Sequence, residues 1–232
     1  MKRRAATSEG IREIHRRFGK LLPDLLWVED LDAKERLRVV PGELRHRDVK
    51  IGTHVDISPG ALPRFLSRFE EVYNHQKRTD SILGAATAHH RLLWIHPFLD
   101  RNGRVARLMS HAMLLESLDT GGVWSVARGL ARNVEAYKRR LADADGPRRN
   151  DLDGRGNLSE EALAAFARFF LTVCIDQVTF MEGLVQPERL RARIGLWAEE
   201  ARLGALPPKS TSILEAVLYR GELPRRDGKG RN

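Results

Sequence analysis

At 232 residues the chain is long enough for one well-cored domain plus a small appendage. Apolar residues make up 42% and charged residues 31%, the balance of a water-soluble globular protein, and no uninterrupted run of about 18 apolar residues marks a membrane span. The single cysteine, Cys174, excludes an internal disulfide and fits a reducing, cytoplasmic setting; the net charge of +9 favours anionic partners, while 6% aromatic content leaves no stacking platform for single-stranded nucleic acid.

The basic start Met1–Arg4 is followed by no apolar stretch, so no secretory signal is expected. Ile11, Ile14, Phe18 and Leu22 predict a helix over 8–22, capped by Ser8 and ended by Pro23. Between Arg36 and Ile57, Leu37, Val39, Val40, Val49, Ile51, Val55 and Ile57 alternate with polar residues. Pro41-Gly42 lies between the two runs as a turn signal, and the stretch reads as a short exposed hairpin. Helices are then predicted over 61–76 and 80–95, the second with Ile82, Ala86, His89 and Leu93 on one stripe. It must stop at His96, which precedes a proline. Another runs from Asn102 to about Leu118, and a further one covers 130–142. Residues 146–157 read as a loop. A long helix follows from Ser159 to Leu184, then helices over 188–203 and 210–219 separated by Pro207-Pro208, and a disordered polar tail from Arg225 to Asn232. The fold class expected is mainly α with one small hairpin.

One segment carries chemistry: His96-Pro97-Phe98-Leu99-Asp100-Arg101-Asn102-Gly103-Arg104-Val105-Ala106-Arg107. It starts where one helix ends and finishes inside the next. A helix N-terminus has N–H groups without internal partners, and its dipole favours an anion. Arg104 and Arg107, three apart, share a helix face beside that end. A loop-held histidine can take a proton from a hydroxyl. A carboxylate beside phosphates can hold Mg²⁺, and arginine matches phosphate geometry.

The segment resembles the motif of the Fic family, His-Pro-Phe-x-Asp/Glu-Gly-Asn-Gly-Arg-x-x-Arg, at every defined position but one: Arg101 stands where the motif has its first glycine. Ile11–His15 resembles the family's first helix, and Pro41–Arg45 through Val49–Gly52 its flap hairpin. The resemblance implies a Fic/Fido helical bundle and a protein adenylyltransferase that uses ATP and Mg²⁺. It transfers AMP to a Tyr, Ser or Thr hydroxyl of a target protein. His96 is implied as general base and Asp100 as the Mg²⁺ ligand. Phe98, Arg101, Asn102, Gly103, Arg104 and Arg107 form the implied nucleotide set, with Phe98 packed under the loop. The flap, Arg45, His46, Arg47, Asp48, Val49, Lys50 and Ile51, is implied to pair with an extended target segment.

Glycine serves where backbone approaches a ligand or takes positive φ. Arg101 therefore either obstructs the nucleotide, points outward, or adds a phosphate contact. The related Doc toxins carry alanine there and phosphorylate. A catalytically silent scaffold and AMP removal by the same site stand as alternative functions. The family's inhibitory pattern, Ser/Thr-x-x-x-Glu-Gly/Asn, is not matched: Glu9 has Ala5 four places before it, and Glu182 has Val178. Inhibition is expected from a partner chain or from a helix outside this sequence, and a homodimer is compatible with the family.

The domain reading is an N-terminal helix and lead-in over 1–35, a core over 36–185 with its flap at about 36–57, C-terminal helices over 186–224, and the tail. Residues 207–224 resemble the opening helix of a winged helix without its recognition helix, so no specific DNA binding is expected. His89, His90, His96 and His111 lack the spacing of a zinc site. Asp151–Asn157 reads as a turn-rich loop rather than a calcium loop, since Ala162 stands where a bidentate Glu is needed. Tyr137 and Asn133 either face a nucleotide base or pack on a helix surface.

Overall fold

A computed structural model describes residues 5–22, 27–30, 35–51, 54–55, 57–74, 77–118, 122–154, 156–201, 206–207 and 210–220. The expected tail and Gly221–Pro224 lie outside the described residues. The described part is mainly helical, as the hydrophobic periodicity predicts. It divides into two compact units, 1–177 and 178–232.

In the first unit, α1 (Ser8–Lys20) is capped by Thr7, not Ser8: the Thr7 hydroxyl accepts from the Gly10 N–H at 2.9 Å. Two hairpins follow. Strand β1 (Trp27–Asp30) pairs antiparallel with β2 (Glu35–Arg38), Trp27 opposite Arg38. The smaller pair is β3 (Lys50–Ile51) with β4 (His54–Val55), Lys50 opposite Val55. The single 36–57 hairpin turning at Pro41-Gly42 does not form. Its first arm pairs backwards in the chain with residues whose strand character the composition hid, and its second arm folds on itself. Pro41-Gly42 turns instead against α1. There Gly42 has φ 87, and a Cβ on it would meet Arg16 Nε at 3.0 Å and the Arg12 carbonyl at 3.2 Å.

After a 3₁₀ turn at Pro59–Ala61 come α2 (Leu62–Tyr73), α3 (Arg78–Ile95) and α4 (Asn102–Leu118). The α3–α4 pair is the centre of the unit, with α2 against α3 and both α1 and α5 against α4. Both helices bury small residues, Gly84, Ala85 and Ala88 on α3 and Ala106 and Ser110 on α4, a composition that suits close packing. The predicted 130–142 helix is two: α5 (Val126–Arg132) and α6 (Val134–Ala144), broken at Asn133, whose φ and ψ are −120° and 35°.

Asp153 ends the 146–157 loop by capping α7 (Glu160–Val185). One of its oxygens accepts from the Glu161 N–H at 2.8 Å and the Ser159 hydroxyl at 3.0 Å, the other from the Arg149 N–H at 3.0 Å. These backbone donors, Glu161 first and then Arg149, hold the carboxylate down at about 2, a capping carboxylate rather than a calcium ligand. By length and composition α7 passes for a membrane span. Phe166, Phe170, Val173 and Cys174, all buried, give a core-facing stripe as the alternative reason for its apolar character. The second unit contains α8 (Pro187–Ala201) and α9 (Ser210–Arg220), packed together with Arg191 stacked over Tyr219 at 4.2 Å.

Candidate active site

The six residues between α3 and α4 form a loop held by a left-handed residue at each end. His96, the C-cap of α3, has φ 50 and ψ 61, and its N–H bonds the Leu92 carbonyl at 3.0 Å. The pre-proline rule correctly ends the helix, but the chain leaves it through the left-handed region rather than an extended one. Arg101 has φ 67. Each such non-glycine residue costs roughly 1–2 kcal/mol, so the surrounding contacts must compensate.

Those contacts are visible. Arg45 is 2% exposed, although it is implied as a target-binding flap residue. Its Nε donates to the His96 carbonyl at 2.7 Å, Nη1 to the Arg47 carbonyl at 2.8 Å, and Nη2 to the Ile57 carbonyl. Its own N–H donates to the Pro97 carbonyl at 2.9 Å. Arg45 is thus a clamp between the flap base and the loop, enclosed where no target segment can reach its side chain. His46, Arg47 and Asp48 are exposed, His46 beside Glu43 at 2.8 Å; Val49 is half-buried, and Lys50-Ile51 form β3.

Phe98 packs under the loop as expected, and Asn102 turns its side chain inward rather than towards a nucleotide. Phe98 is wholly buried and stacks on His15 at 4.0 Å with 3° between the rings. Asn102, 2% exposed, spends its side chain on Phe98: Oδ1 accepts from the Phe98 N–H at 3.0 Å and Nδ2 donates to the Phe98 carbonyl at 2.7 Å. Both residues shape the loop from inside. His15 Nδ1 accepts from the Gly42 N–H at 2.8 Å. Burial, reinforced by the nearby Arg101 charge, pushes His15 down to about 4, so it stays neutral and keeps that acceptor.

His96 is half-buried, and its Nδ1 lies 3.3 Å from the Leu93 carbonyl. A carbonyl only accepts, so Nδ1 carries the proton and Nε2 is the basic nitrogen. Asp100 is 43% exposed at its side chain, with Oδ2 3.7 Å from Arg101 Nε. A partly exposed carboxylate is the donor type that suits Mg²⁺, and Asp100 would hold the ion. Among the described residues no group of three His, Cys, Asp or Glu forms a metal cage of its own. Arg101 does not point outward: its side chain is 0% exposed.

Arg107 reaches back along α4, its Nη1 3.5 Å from where a Cβ on Gly103 would lie. The guanidinium therefore lies over the amino end of α4, beside N–H groups that the helix itself does not use. It is hydrogen-bonded to the Tyr137 hydroxyl, which in turn donates to His89 Nε2 at 2.7 Å, while His89 Nδ1 faces the Ser110 hydroxyl at 3.0 Å. Ser110 gives its own proton to the Ala106 carbonyl at 2.8 Å, which sets the direction of the whole chain. Burial, with Arg107 nearby, pushes His89 down to about 3, and burial pushes Tyr137 up to about 12. Tyr137 thus packs within the helices, the second of its two readings. Arg104 is exposed and stacks over Phe18 at 5.6 Å.

His15 and His89 are the functional supports missed in sequence. Each occupies an apolar stripe of its helix, which was the legible signal. His90 goes elsewhere, 2.9 Å from Asp145, and His111 lies edge-on to Trp124, so the histidines form no cluster.

A sequence model described as the Fic/DOC family matches residues 5–114. The chain is 40% identical over 113 residues to a protein named protein adenylyltransferase Fic in Drosophila yakuba, and 38% identical over 113 residues to the one in Drosophila melanogaster. The match spans 48% of this chain but 20% of each relative, so the chain aligns with about a fifth of their length. Among solved structures it is similar to a Fic family protein from Desulfovibrio desulfuricans G20, with a TM-score of 0.56 at 17% identity over 92% of this chain and 53% of that one. A Fic domain containing signaling protein from Bacteroides thetaiotaomicron VPI-5482 gives 0.51 at 22% identity over 77% and 65%. At these identities the solved structures show the shared fold.

Proposed function

We propose that this chain, whose residues 5–114 match the Fic/DOC family model, is a protein adenylyltransferase, moving AMP from ATP to a hydroxyl side chain of a target protein. The carrying observation is the pairing of a left-handed, half-buried His96 with the amino end of α4, over which Arg107 is folded.

His96 Nε2 accepts the proton of the target hydroxyl as its oxygen attacks the α-phosphorus of ATP. The bond from that phosphorus to the bridging oxygen breaks, pyrophosphate leaves with the electron pair, and the proton passes from His96 to solvent. Arg45 fixes the His96 carbonyl, and the Leu93 carbonyl orients its ring. Arg107 and the α4 N–H groups take the developing phosphate charge; such preorganised donors supply much of the catalysis in phosphate chemistry. Arg107 is itself held by Tyr137 and His89. Asp100 would hold Mg²⁺, which would supply positive charge to the phosphates. The exposed residues His46, Arg47 and Asp48, which lead into β3, offer backbone to an extended target segment.

Incubating a lysate with the protein, ATP and Mg²⁺ and searching peptide masses for an added AMP group tests the reading. Modified Tyr, Ser or Thr peptides are expected with wild type and none with His96→Ala. Equal spectra for the two proteins refute it.

A further inference from the structure

Arg101 stands where the motif has glycine, and its surroundings give the change a chemical consequence. The side chain is enclosed, and none of its three nitrogens has a hydrogen-bond acceptor among the described residues. An enclosed guanidinium in that condition is costly and is held by its nearest opposite charge. Among the described residues that charge is Asp100, with Oδ2 3.7 Å from Arg101 Nε. The same carboxylate is the one that fits Mg²⁺, so two cations share one anionic group.

They do not share it on equal terms. A guanidinium does not lose its proton, and this one is tethered to the next residue of the chain. A divalent ion bound to Asp100 at about 2.1 Å lies within a few ångströms of that charge. The separation is shorter than the Debye length, so salt does not screen the repulsion. A phosphate approaching the start of α4, by contrast, meets a positive charge already in place. Because the guanidinium is enclosed, it acts through its field and through Asp100 rather than by touching the ligand.

The geometry points to Arg101 as a resident counter-cation of Asp100. It weakens Mg²⁺ at that carboxylate and supplies part of the positive charge facing the nucleotide. This chain therefore binds nucleoside triphosphate with little dependence on a divalent ion. The inference rests on the transferase reading of the same site.

Calorimetric titration of the full chain with ATP, in Mg²⁺ and in EDTA, tests it on wild type, Arg101→Gly, Arg101→Met and Arg101→Lys. In wild type the Kd is expected to change by less than about threefold between the two conditions. In Arg101→Gly, where glycine accepts φ 67 without strain, Mg²⁺ tightens binding by about tenfold or more, a difference of about 1.4 kcal/mol. Arg101→Met, which keeps a long apolar stem, follows Arg101→Gly and guards against a packing defect. Arg101→Lys keeps the charge and follows wild type. ATP binding with the same Mg²⁺ dependence in wild type and both uncharged variants overturns the inference and leaves the transferase reading standing. No ATP binding by wild type in either condition overturns both.

Discussion

Replacing Arg45 tests how the reactive loop is held. Arg45→Met keeps the stem but deletes three donated hydrogen bonds, to the carbonyls of His96, Arg47 and Ile57. A buried acceptor left unpaired costs about 1–3 kcal/mol. With partial relaxation the three sum to roughly 3–6 kcal/mol, against a total stability on the order of 5–15 kcal/mol. For a domain of this size each 1 kcal/mol lowers Tm by about 2–4 °C, so a fall of about 6 °C or more is expected in a thermal melt. Arg45→Lys separates anchoring from charge, because one ammonium cannot serve three divergent carbonyls. It should fold, yet lose about tenfold or more in kcat, since small misplacements of a base are costly. A Tm within about 2 °C of wild type for Arg45→Met, with an unchanged kcat for Arg45→Lys, refutes the clamp.

Three further outcomes follow from other contacts. Asn102→Ala removes both bonds to the Phe98 backbone and should lower stability by about 1–3 kcal/mol in urea melts while reducing kcat; unchanged values count against its role. Gly129→Ala places a Cβ 2.5 Å from Val173 Cγ1 and 2.7 Å from Gln177 Cγ, and should cost about 1–3 kcal/mol by overpacking, read by the same melts. His89, lowered to about 3 by burial, resists protonation that the unfolded chain accepts near 6.5, so the unfolded state binds the extra proton between those values. Stability from this residue is therefore complete above about 6.5 and lost as pH falls towards 3, by an amount on the order of a few kcal/mol. His89→Gln should flatten that acid limb in denaturant melts taken across the range, and an unflattened limb contradicts the assignment.

The helices were readable because their apolar spacing and breakers agree. Leu62, Phe65 and Phe69 mark α2, and Pro97 stops α3 as expected. The hairpins were misread because strand pairing is non-local. The alternation around Leu37 is real, but its partner, Trp27–Asp30, carries two acidic residues and no strand pattern. Asn133 splits a predicted single helix with no proline or glycine to announce it. At the candidate site the motif residues were legible by type and spacing, as was the packing of Phe98 under the loop, while the inward roles of Arg45, Asn102 and Arg101 were not. Arg45, Phe98, Asn102 and Arg101 lie inside the protein, and His96 and Arg101 have left-handed backbone. Only the tertiary placement of Gly42, His15 and Ile57 reveals which carbonyls and rings receive them.

The central claim is the fate of the α-phosphorus. ATP labelled at either the α- or the γ-phosphate is incubated with the protein and an extract of candidate targets, then resolved on a gel. Label from the α-position alone, abolished by His96→Ala and restored by no other histidine, is the result expected. Label arriving only from the γ-position, or surviving the loss of His96, contradicts the account.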